Sequence, residues 1–135
     1  MTTLKDIRVA LADMVETLIP CTPYSTDAVV PPCAMIERRQ MTPDLVFGET
    51  TQIAALAIRL YFQRTEEVSG QMDLDELFDR DGSRSIKAVI ENGDNWATSL
   101  GVDYCKLISW GEPQTIADKS GAEYLTARID LEVCW

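Results

Sequence analysis

The sequence predicts an α+β domain in which a mixed or antiparallel β-sheet of about four main strands is flanked by an N-terminal helix and a helix pair. Three observations predict this class. Apolar and polar residues alternate at the end of the chain, apolar residues recur at helical spacing near its start and in its middle, and the segments follow the order helix, strand, strand, helix, short helix, strand, strand. Because 135 residues, 46% of them hydrophobic, suffice for one core, a single domain over residues 1–135 is expected.

The first helix is predicted over residues 3–19. Thr3 and Asp6 stand at the spacing of a capping box, in which each side chain accepts from a backbone N–H that the helix leaves free. Pro20 is expected to stop the helix, because proline cannot donate a helical hydrogen bond. The apolar residues at helical spacing are Leu4, Ile7, Leu11, Met14, Val15 and Leu18.

Two strands are predicted to follow. The first, "CAMIERR", comes after Pro31 and Pro32, which favour extended chain. The second covers residues 51–64 and is expected near the centre of the sheet, because its apolar residues fall on alternate positions. Its two faces are predicted to be Leu56, Ile58, Leu60 and Phe62 on one side, and Ala55, Ala57, Arg59, Tyr61 and Gln63 on the other.

Between these strands, residues 40–49 ("QMTPDLVFGE") combine turn residues with apolar ones and are predicted to form an extended hairpin tip. Met41, Leu45 and Phe47 make this tip apolar. Two interpretations stay open: the tip folds back onto its own sheet, or it is a surface that receives a partner.

A helix pair is predicted after residue 66. The first helix has the apolar stripe Val68, Met72, Leu74, Leu77 and Phe78 and ends at Asp81 and Gly82. Ser83 is predicted to cap the second, short helix, which points Ile86, Val89 and Ile90 at the core.

The chain is predicted to close with an antiparallel pair of strands. The first is "GVDYCKLISWGEPQ", the second is "AEYLTARIDLEVCW", and the polar turn "TIADKSG" joins them. In the second strand Leu125 to Val133 alternate with polar residues, which predicts one buried and one solvated face.

Acidic residues predominate in the composition. The chain has 22 acidic and 12 basic side chains, a net charge of −10, and residues 65–103 alone hold ten acidic and three basic ones. This balance repels a phosphate backbone, so conventional nucleic-acid binding is not expected. The acidic stretch has two interpretations, a solvated face or the lining of a passage through which DNA slides without sticking.

The sequence contains no pattern typical of catalysis. It has no histidine, the usual acid-base group near neutral pH. Carboxylates at helical spacing, such as Asp73 with Glu76, are more typical of a solvated helix face than of a catalytic pair. The seven glycines stand singly, without a phosphate-binding loop. We therefore expect no enzymatic activity and no cofactor.

Cysteine and tryptophan are predicted to pack rather than to react. The four cysteines, Cys21, Cys33, Cys105 and Cys134, lie far apart without CxxC spacing, so reduced, packed side chains are expected rather than a zinc site. Trp96, Trp110 and Trp135 lack basic neighbours in number and are predicted to lie in the core or an interface.

A soluble protein made in the cytoplasm is expected. No run approaches the roughly 18 uninterrupted apolar residues of a membrane span. The first residues, "MTTLKDIRVALADM", are polar and helical in pattern, unlike a signal peptide.

Several stretches, and the whole order of elements, resemble the tail terminator proteins of long-tailed (siphovirus-type) bacteriophages, particularly those from viruses of actinobacteria. The stretches are "DAVVPPCAMIE", "MDLDELFDRDGSRSIKAVIEN", "NWATSLGVDYCKL" and "YLTARIDLEV". The likeness covers nearly the full chain and is one of pattern, without an invariant catalytic residue or a diagnostic motif.

The resemblance implies a structural virion protein that forms a hexameric ring on the last ring of the tail tube, stops tube growth and offers a joint to the head. The implied partners are other copies of the chain, the major tail tube protein and the head-tail connector or stopper protein. Genomic DNA would pass through the lumen without specific binding, and no membrane is involved. The implied location is the head-proximal end of the tail, after assembly in the host cytoplasm. Neither catalytic nor metal residues are implied.

A closed ring needs two different patches on each subunit in head-to-tail contact. The candidate interface residues are Met41, Leu45, Phe47, Trp110 and Trp135, and the candidate acidic lumen residues are Asp73, Glu76 and Asp79. Two alternatives stay open. One is another head-tail neck component, such as a stopper or a minor tail protein, and the other is a small ligand-binding α+β domain or enzyme.

Overall fold

The protein is a mixed α+β structure with three helices and a six-stranded sheet in the part of the chain that the structure describes. The helices are α1 (Leu4–Glu16), α2 (Glu67–Leu77) and α3 (Ile86–Asn92), and the strands are β1 (Cys21–Thr22), β2 (Cys33–Thr42), β3 (Ile53–Gln63), β4 (Tyr104–Trp110), β5 (Gln114–Ala117) and β6 (Glu123–Cys134). This computed structural model describes residues 3–26, 29–42, 53–63, 67–79, 82, 84–92, 101–102, 104–111, 114–117, 121 and 123–135. The predicted α+β class is confirmed, whereas the sheet has six strands rather than about four, because β1 and β5 are short additional strands.

The sheet has the order β1-β2-β3-β6-β4, and β5 also pairs with β6. Only β1 and β2 are parallel, while all other described pairs are antiparallel, so the sheet is mixed. At its centre β3 and β6 pair without a break from Ile53 opposite Cys134 to Gln63 opposite Tyr124. The predicted central position of the second strand is therefore confirmed.

The two faces of the sheet differ in what covers them. On the core face, alternate residues of β3 and β6 join the helices in one buried apolar cluster, as the period-2 pattern predicts. The strand residues of this cluster include Leu56, Ile58, Leu60, Leu125, Ile129 and Leu131, and the helical ones include Ile7, Leu11, Leu74, Leu77, Ile86 and Ile90. The opposite face, called here the open face, carries the intervening residues, such as Arg59 on β3 and Arg128 and Asp130 on β6.

The N-terminal helix begins as predicted. The Thr3 hydroxyl accepts from the Asp6 N–H at 3.3 Å, while the Asp6 carboxylate accepts from the Thr3 N–H at 2.9 Å. This reciprocal capping box satisfies two N–H groups at the start of α1. The helix ends at Glu16, before the predicted residue 19, and its buried residues include Ile7, Leu11 and Val15.

The helix pair is present, with two corrections. Met72, predicted in the apolar stripe of α2, is 63% exposed, because it stands two positions before Leu74 and so about 200° away around the helix. The cap of α3 is Ser85 rather than Ser83: the Ser85 hydroxyl accepts from the Ala88 N–H at 3.1 Å. The Ser85 hydroxyl also donates to the carbonyl oxygen of Asp79, which links the cap to the end of α2.

The two closing strands are confirmed, but the turn between them is partly strand. Residues Thr115 to Ala117 of the predicted turn lie in β5, where Gln114 to Ala117 pair with Thr126 to Glu123. Thr126, predicted on the solvated face of β6, is only 2% exposed, because β6 is an interior strand and Tyr61 and Gln114 flank Thr126 on its two neighbours. Among the described helices, none combines the length and apolar character needed to cross a membrane.

Candidate assembly surfaces

Four of the exposed large hydrophobic side chains in the described part of the chain lie along β4 and β5, which both pair with β6 at one edge of the sheet. We call it the β4–β5 edge and define it by Tyr104, Ile108, Trp110 and Ile116. Ile108 is 54% exposed, and Trp110 and Ile116 are each 37% exposed. All four residues of β5 are exposed, as are Ser109 and Trp110 at the end of β4. Apolar side chains clustered on a strand edge are typical of a surface that another chain covers.

The β4–β5 edge is anchored to the rest of the domain at Trp110. The ring of Trp110 lies 5.0 Å from the ring of Phe78, which follows α2, at an interplanar angle of 43°. In the middle of β4, the Leu107 N–H donates to the Glu91 carboxylate of α3 at 3.4 Å. The Glu91 side chain of α3 therefore already binds one backbone N–H of β4. No described element lies on the outer side of β5.

The opposite edge of the sheet consists of β1 and β2. Strand β1 has two residues and pairs only with Ala34 and Met35 of β2. From Ile36 onward, no described strand pairs with the outer side of β2. This edge thus presents backbone groups and the exposed side chains of Arg38 and Arg39. The two edges of one subunit therefore differ in chemistry: the β4–β5 edge carries exposed apolar side chains, whereas the β2 edge carries Arg38 and Arg39, of which Arg39 is paired with Asp130.

Ion pairs cross the open face between the strands. Arg59 Nε lies 3.1 Å from Glu37 Oε1, which links β3 to β2. Asp130 lies 3.0 Å from Arg39 Nη1 and 3.2 Å from Arg128 Nε, and its second oxygen accepts from the Ser109 hydroxyl at 3.1 Å. Asp130 Oδ1 is close enough to Arg39 Nη1 for an ion pair, but it accepts no hydrogen bond. The contact is therefore electrostatic.

A second polar contact on the open face joins β4 to β6. The Tyr104 hydroxyl donates to Glu132 Oε1 at 2.7 Å. This bond to a carboxylate favours the protonated phenol and, with a smaller contribution from desolvation, raises the pKa of Tyr104 to about 12. Tyr104 is therefore a fixed hydrogen-bond donor at neutral pH rather than a titrating group.

The predicted interface residues lie in different places. Met41 is in β2, opposite Ala54, so residues 40–42 are strand rather than tip. Leu45 and Phe47, like the rest of the predicted tip, lie outside the described residues. Trp110 is exposed on the β4–β5 edge. Trp135 follows β6, and its side chain is half-buried and packs against the core, which is one of the two environments predicted for the tryptophans.

The predicted lumen residues lie within α2 or just after it. Asp73 lies within α2, and the side chains of Glu76 and Asp79 are exposed. Glu76 Oε2 pairs with Arg84 Nη1 at 2.8 Å, so one of the few basic side chains of this acidic stretch already offsets it. Lys87 likewise pairs with Glu91 on α3. The acidity of the exposed helix surface thus rests on residues such as Asp75 and Asp79.

The thiols are placed for packing. Cys21 and Cys134 are buried, while Cys33 and Cys105 are half-buried, and all four are free. Burial raises the pKa of Cys21 and of Cys105 to about 12, so both stay protonated and weakly nucleophilic at neutral pH. Within the described ranges, no group of three or more cysteine and carboxylate side chains is placed to hold a metal ion.

Sequence reasoning missed two features of the sheet. One is the β4–β5 edge, because β5 was expected to be a turn. The other is the direct pairing of Arg59 with Arg128, because alternation places both residues on polar faces but does not give the strand register.

A scan of this chain against protein-family models finds no match, and a search of the curated proteins finds none either.

Proposed function

We propose that the protein is a tail terminator of a long-tailed bacteriophage. In this role it forms a hexameric ring on the tail tube, stops tube polymerisation and joins the tail to the head connector. It acts without catalysis and without a cofactor, at the head-proximal end of the tail. The proposal rests on the resemblance of four sequence stretches and on an α+β fold with two open sheet edges.

The observation that carries the proposal is the difference between the two edges of the sheet. A ring closes only through a heterologous contact, in which one patch of a subunit meets a different patch of its neighbour. The β4–β5 edge is apolar and backbone-accessible at β5, whereas the outer side of β2 offers unpaired backbone beside Arg38 and Arg39. We infer that these edges form the two halves of the subunit contact, with strand-to-strand hydrogen bonds between copies.

Helix α2 supports the second part of the proposal, a lumen through which DNA passes. Asp75 and Asp79 are exposed, and only Glu76 has a described basic partner, Arg84. An acidic wall repels phosphates and lets DNA slide, whereas each lysine or arginine facing inward would add a phosphate contact. Lysine at Asp73, Glu76 and Asp79 should therefore slow DNA ejection. Ejection at the normal rate would remove α2 from the proposed lumen.

The decisive experiment is the tail-length distribution of particles produced with this gene silenced, measured by negative-stain electron microscopy. Overlong tubes detached from filled heads are the expected result, because tube protein continues to polymerise without a cap. Tails of normal length that fail to join heads would instead identify a stopper or another connector component. Intact infectious particles would overturn any role in the head-tail joint and favour a ligand-binding domain.

A further inference from the structure

Two arginines lie directly opposite each other at the centre of the open face. Arg59 on β3 and Arg128 on β6 are cross-strand partners in the uninterrupted antiparallel register. Like charges in this relation destabilise a sheet pair, because their Cβ atoms stand only about 5 Å apart. The pairing is unexpected in a chain of net charge −10, in which acidic residues are available in excess.

Each of these arginines has one nearby carboxylate, which contacts only its Nε atom. Arg59 contacts Glu37 through Nε, and Arg128 contacts Asp130 through Nε. No partner for the terminal guanidinium nitrogens of either arginine is found in the described part of the chain. Each guanidinium is thus oriented by one carboxylate while its other donors remain available, and a guanidinium offers five N–H donors in all.

Next to the pair lies a hydroxyl that the fold buries without satisfying it. Thr126 is 2% exposed, and its Oγ1 has no hydrogen-bond partner among the described residues. A buried polar atom without a partner has lost its hydrogen bonds to water without a replacement, so such atoms are rare in folded proteins. The hydroxyl can donate to an acceptor as readily as it can accept.

These groups line one cavity of about 170 Å³ on the open face, together with Gly111, Gln114 and Ala127. Neither Glu37 nor Asp130 is among its lining residues, so the cavity itself receives positive charge and neutral donors. The cavity is several times larger than the roughly 30 Å³ that one water molecule takes up in the liquid, so a small oxyanion such as phosphate or sulfate fits.

Gly111 contributes to the shape of this cavity. Its N–H donates to the Arg128 carbonyl oxygen at 2.6 Å, and a Cβ added at Gly111 would lie 3.4 Å from that oxygen and 3.8 Å from the Arg128 Cβ. A side chain at position 111 would therefore project beside Arg128. Glycine directly after β4 keeps this side of the cavity clear.

We propose that this cavity binds a single oxyanion group, held by the terminal nitrogens of Arg59 and Arg128 and by the Thr126 hydroxyl. Guanidinium groups bind phosphate and carboxylate oxygens in pairs, and both arginines line the cavity. The bound group removes the repulsion between the two arginines and supplies the acceptor that Thr126 lacks. The observations that support this site do not depend on the proposed role in tail assembly.

The oxyanion can come from two sources, a free ion or an acidic side chain of a second copy of the chain. In the first test, the melting temperature of the purified full chain is measured at increasing concentrations of inorganic phosphate. Sodium chloride at matched ionic strength is the reference. We expect a saturable rise in melting temperature with phosphate that chloride does not produce, because a ligand that binds only the folded state stabilises it.

Three variants locate the effect. Thr126→Val removes the unpartnered hydroxyl while keeping the shape of the side chain, so it should fold at least as stably as the wild type and bind phosphate at least tenfold more weakly. Arg128→Gln should abolish the phosphate response, and Asp130 retains Arg39 and Ser109 in that variant. Arg39→Gln is the matched control, because Arg39 also pairs with Asp130 but does not line the cavity, and it should respond like the wild type.

Sedimentation velocity distinguishes the two sources. Phosphate stabilisation at constant molecular mass identifies a free ion as the ligand. Phosphate that dissociates an oligomer, together with loss of that oligomer in Arg128→Gln, identifies the carboxylate of a second copy. No response to phosphate and no effect of Arg128→Gln on mass would overturn the proposal, as would a phosphate response that Thr126→Val and Arg128→Gln both retain in full.

Discussion

The ring of Phe78 lies 5.0 Å from the ring of Trp110 and thereby joins the end of α2 to the edge strand β4. Phe78 is half-buried against the core, whereas Trp110 is 37% exposed. The contact thus connects the hydrophobic core to the proposed subunit interface through two side chains.

Replacing Phe78 should loosen this connection. A fully buried Phe→Ala change costs about 3–5 kcal/mol, so half-buried Phe78→Ala should lower the free energy of unfolding by about 2 kcal/mol. Phe78→Leu should cost about 1 kcal/mol, since it keeps apolar bulk but loses the aromatic pair. Urea denaturation measures both. Met72→Ala is the control on the exposed side of α2 and should stay within about 0.5 kcal/mol of the wild type; an equal loss in all three variants would contradict the role of the ring contact.

The capping box predicts a specific dependence of stability on pH. Hydrogen bonds from the backbone and side chain of Thr3 hold the pKa of Asp6 below its ordinary value of 3.8. Because the folded pKa is the lower one, the contribution of Asp6 to stability is present above pH 3.8 and is lost as the pH falls through the folded value. Urea denaturation from neutral pH down to about pH 2 should show this loss in the wild type and a flatter profile in Asp6→Asn. Superimposable profiles would mean that the bond contributes nothing to stability.

Tyr104 should titrate late. Its bond to Glu132 raises the pKa to about 12, above the ordinary value of 10. The stabilisation is therefore complete below pH 10 and disappears as the pH rises through about 12. In an ultraviolet titration that follows phenolate formation, the wild type should show a step with its midpoint near 12, and Tyr104→Phe should lack this step. Glu132→Gln should move the midpoint towards 10. An unchanged midpoint in Glu132→Gln would assign the shift to burial instead.

The β4–β5 edge should control self-association without controlling folding. Ile108→Lys and Ile116→Lys place a charge on an already exposed edge, so their melting temperatures should match the wild type. In sedimentation velocity the wild type should self-associate as the protein concentration rises, and both variants should remain monomeric over the same range. Val30→Lys is the matched control, because Val30 is 76% exposed but lies outside this edge, and it should assemble normally. Assembly of the Ile108 and Ile116 variants at wild-type concentrations would place the subunit contact elsewhere.

The strongest local patterns of the chain correctly predicted its main elements. Alternation from Leu125 to Val133 and from Leu56 to Phe62 identifies the two central strands, since a strand with one buried face requires a period of two. Thr3 and Asp6 locate the start of α1, because capping is a short-range contact. In both cases the information lies within a few neighbouring residues.

The features that sequence reasoning missed depend on neighbours far away in the chain. Strand β5 is exposed at all four positions, so it has no alternation, and its pairing with β6 rests on backbone hydrogen bonds. Thr126 is buried by flanking residues on two other strands. The Arg59–Arg128 pair and its cavity depend on strand register, which apolar patterning restricts to one face without fixing the partner.

The interior position of β6 also constrains how the protein folds. Residues of β3 find their partners on β6 between 61 and 81 positions later in the chain, and β4 pairs with the same strand. Loop-closure entropy must be overcome before such distant pairs form, so refolding should take milliseconds to seconds rather than microseconds. During translation β6 is synthesised after all other described strands, so until then β3 and β4 each have an unpaired edge. During synthesis, the nascent chain is therefore most vulnerable to aggregation just before its central strand is inserted.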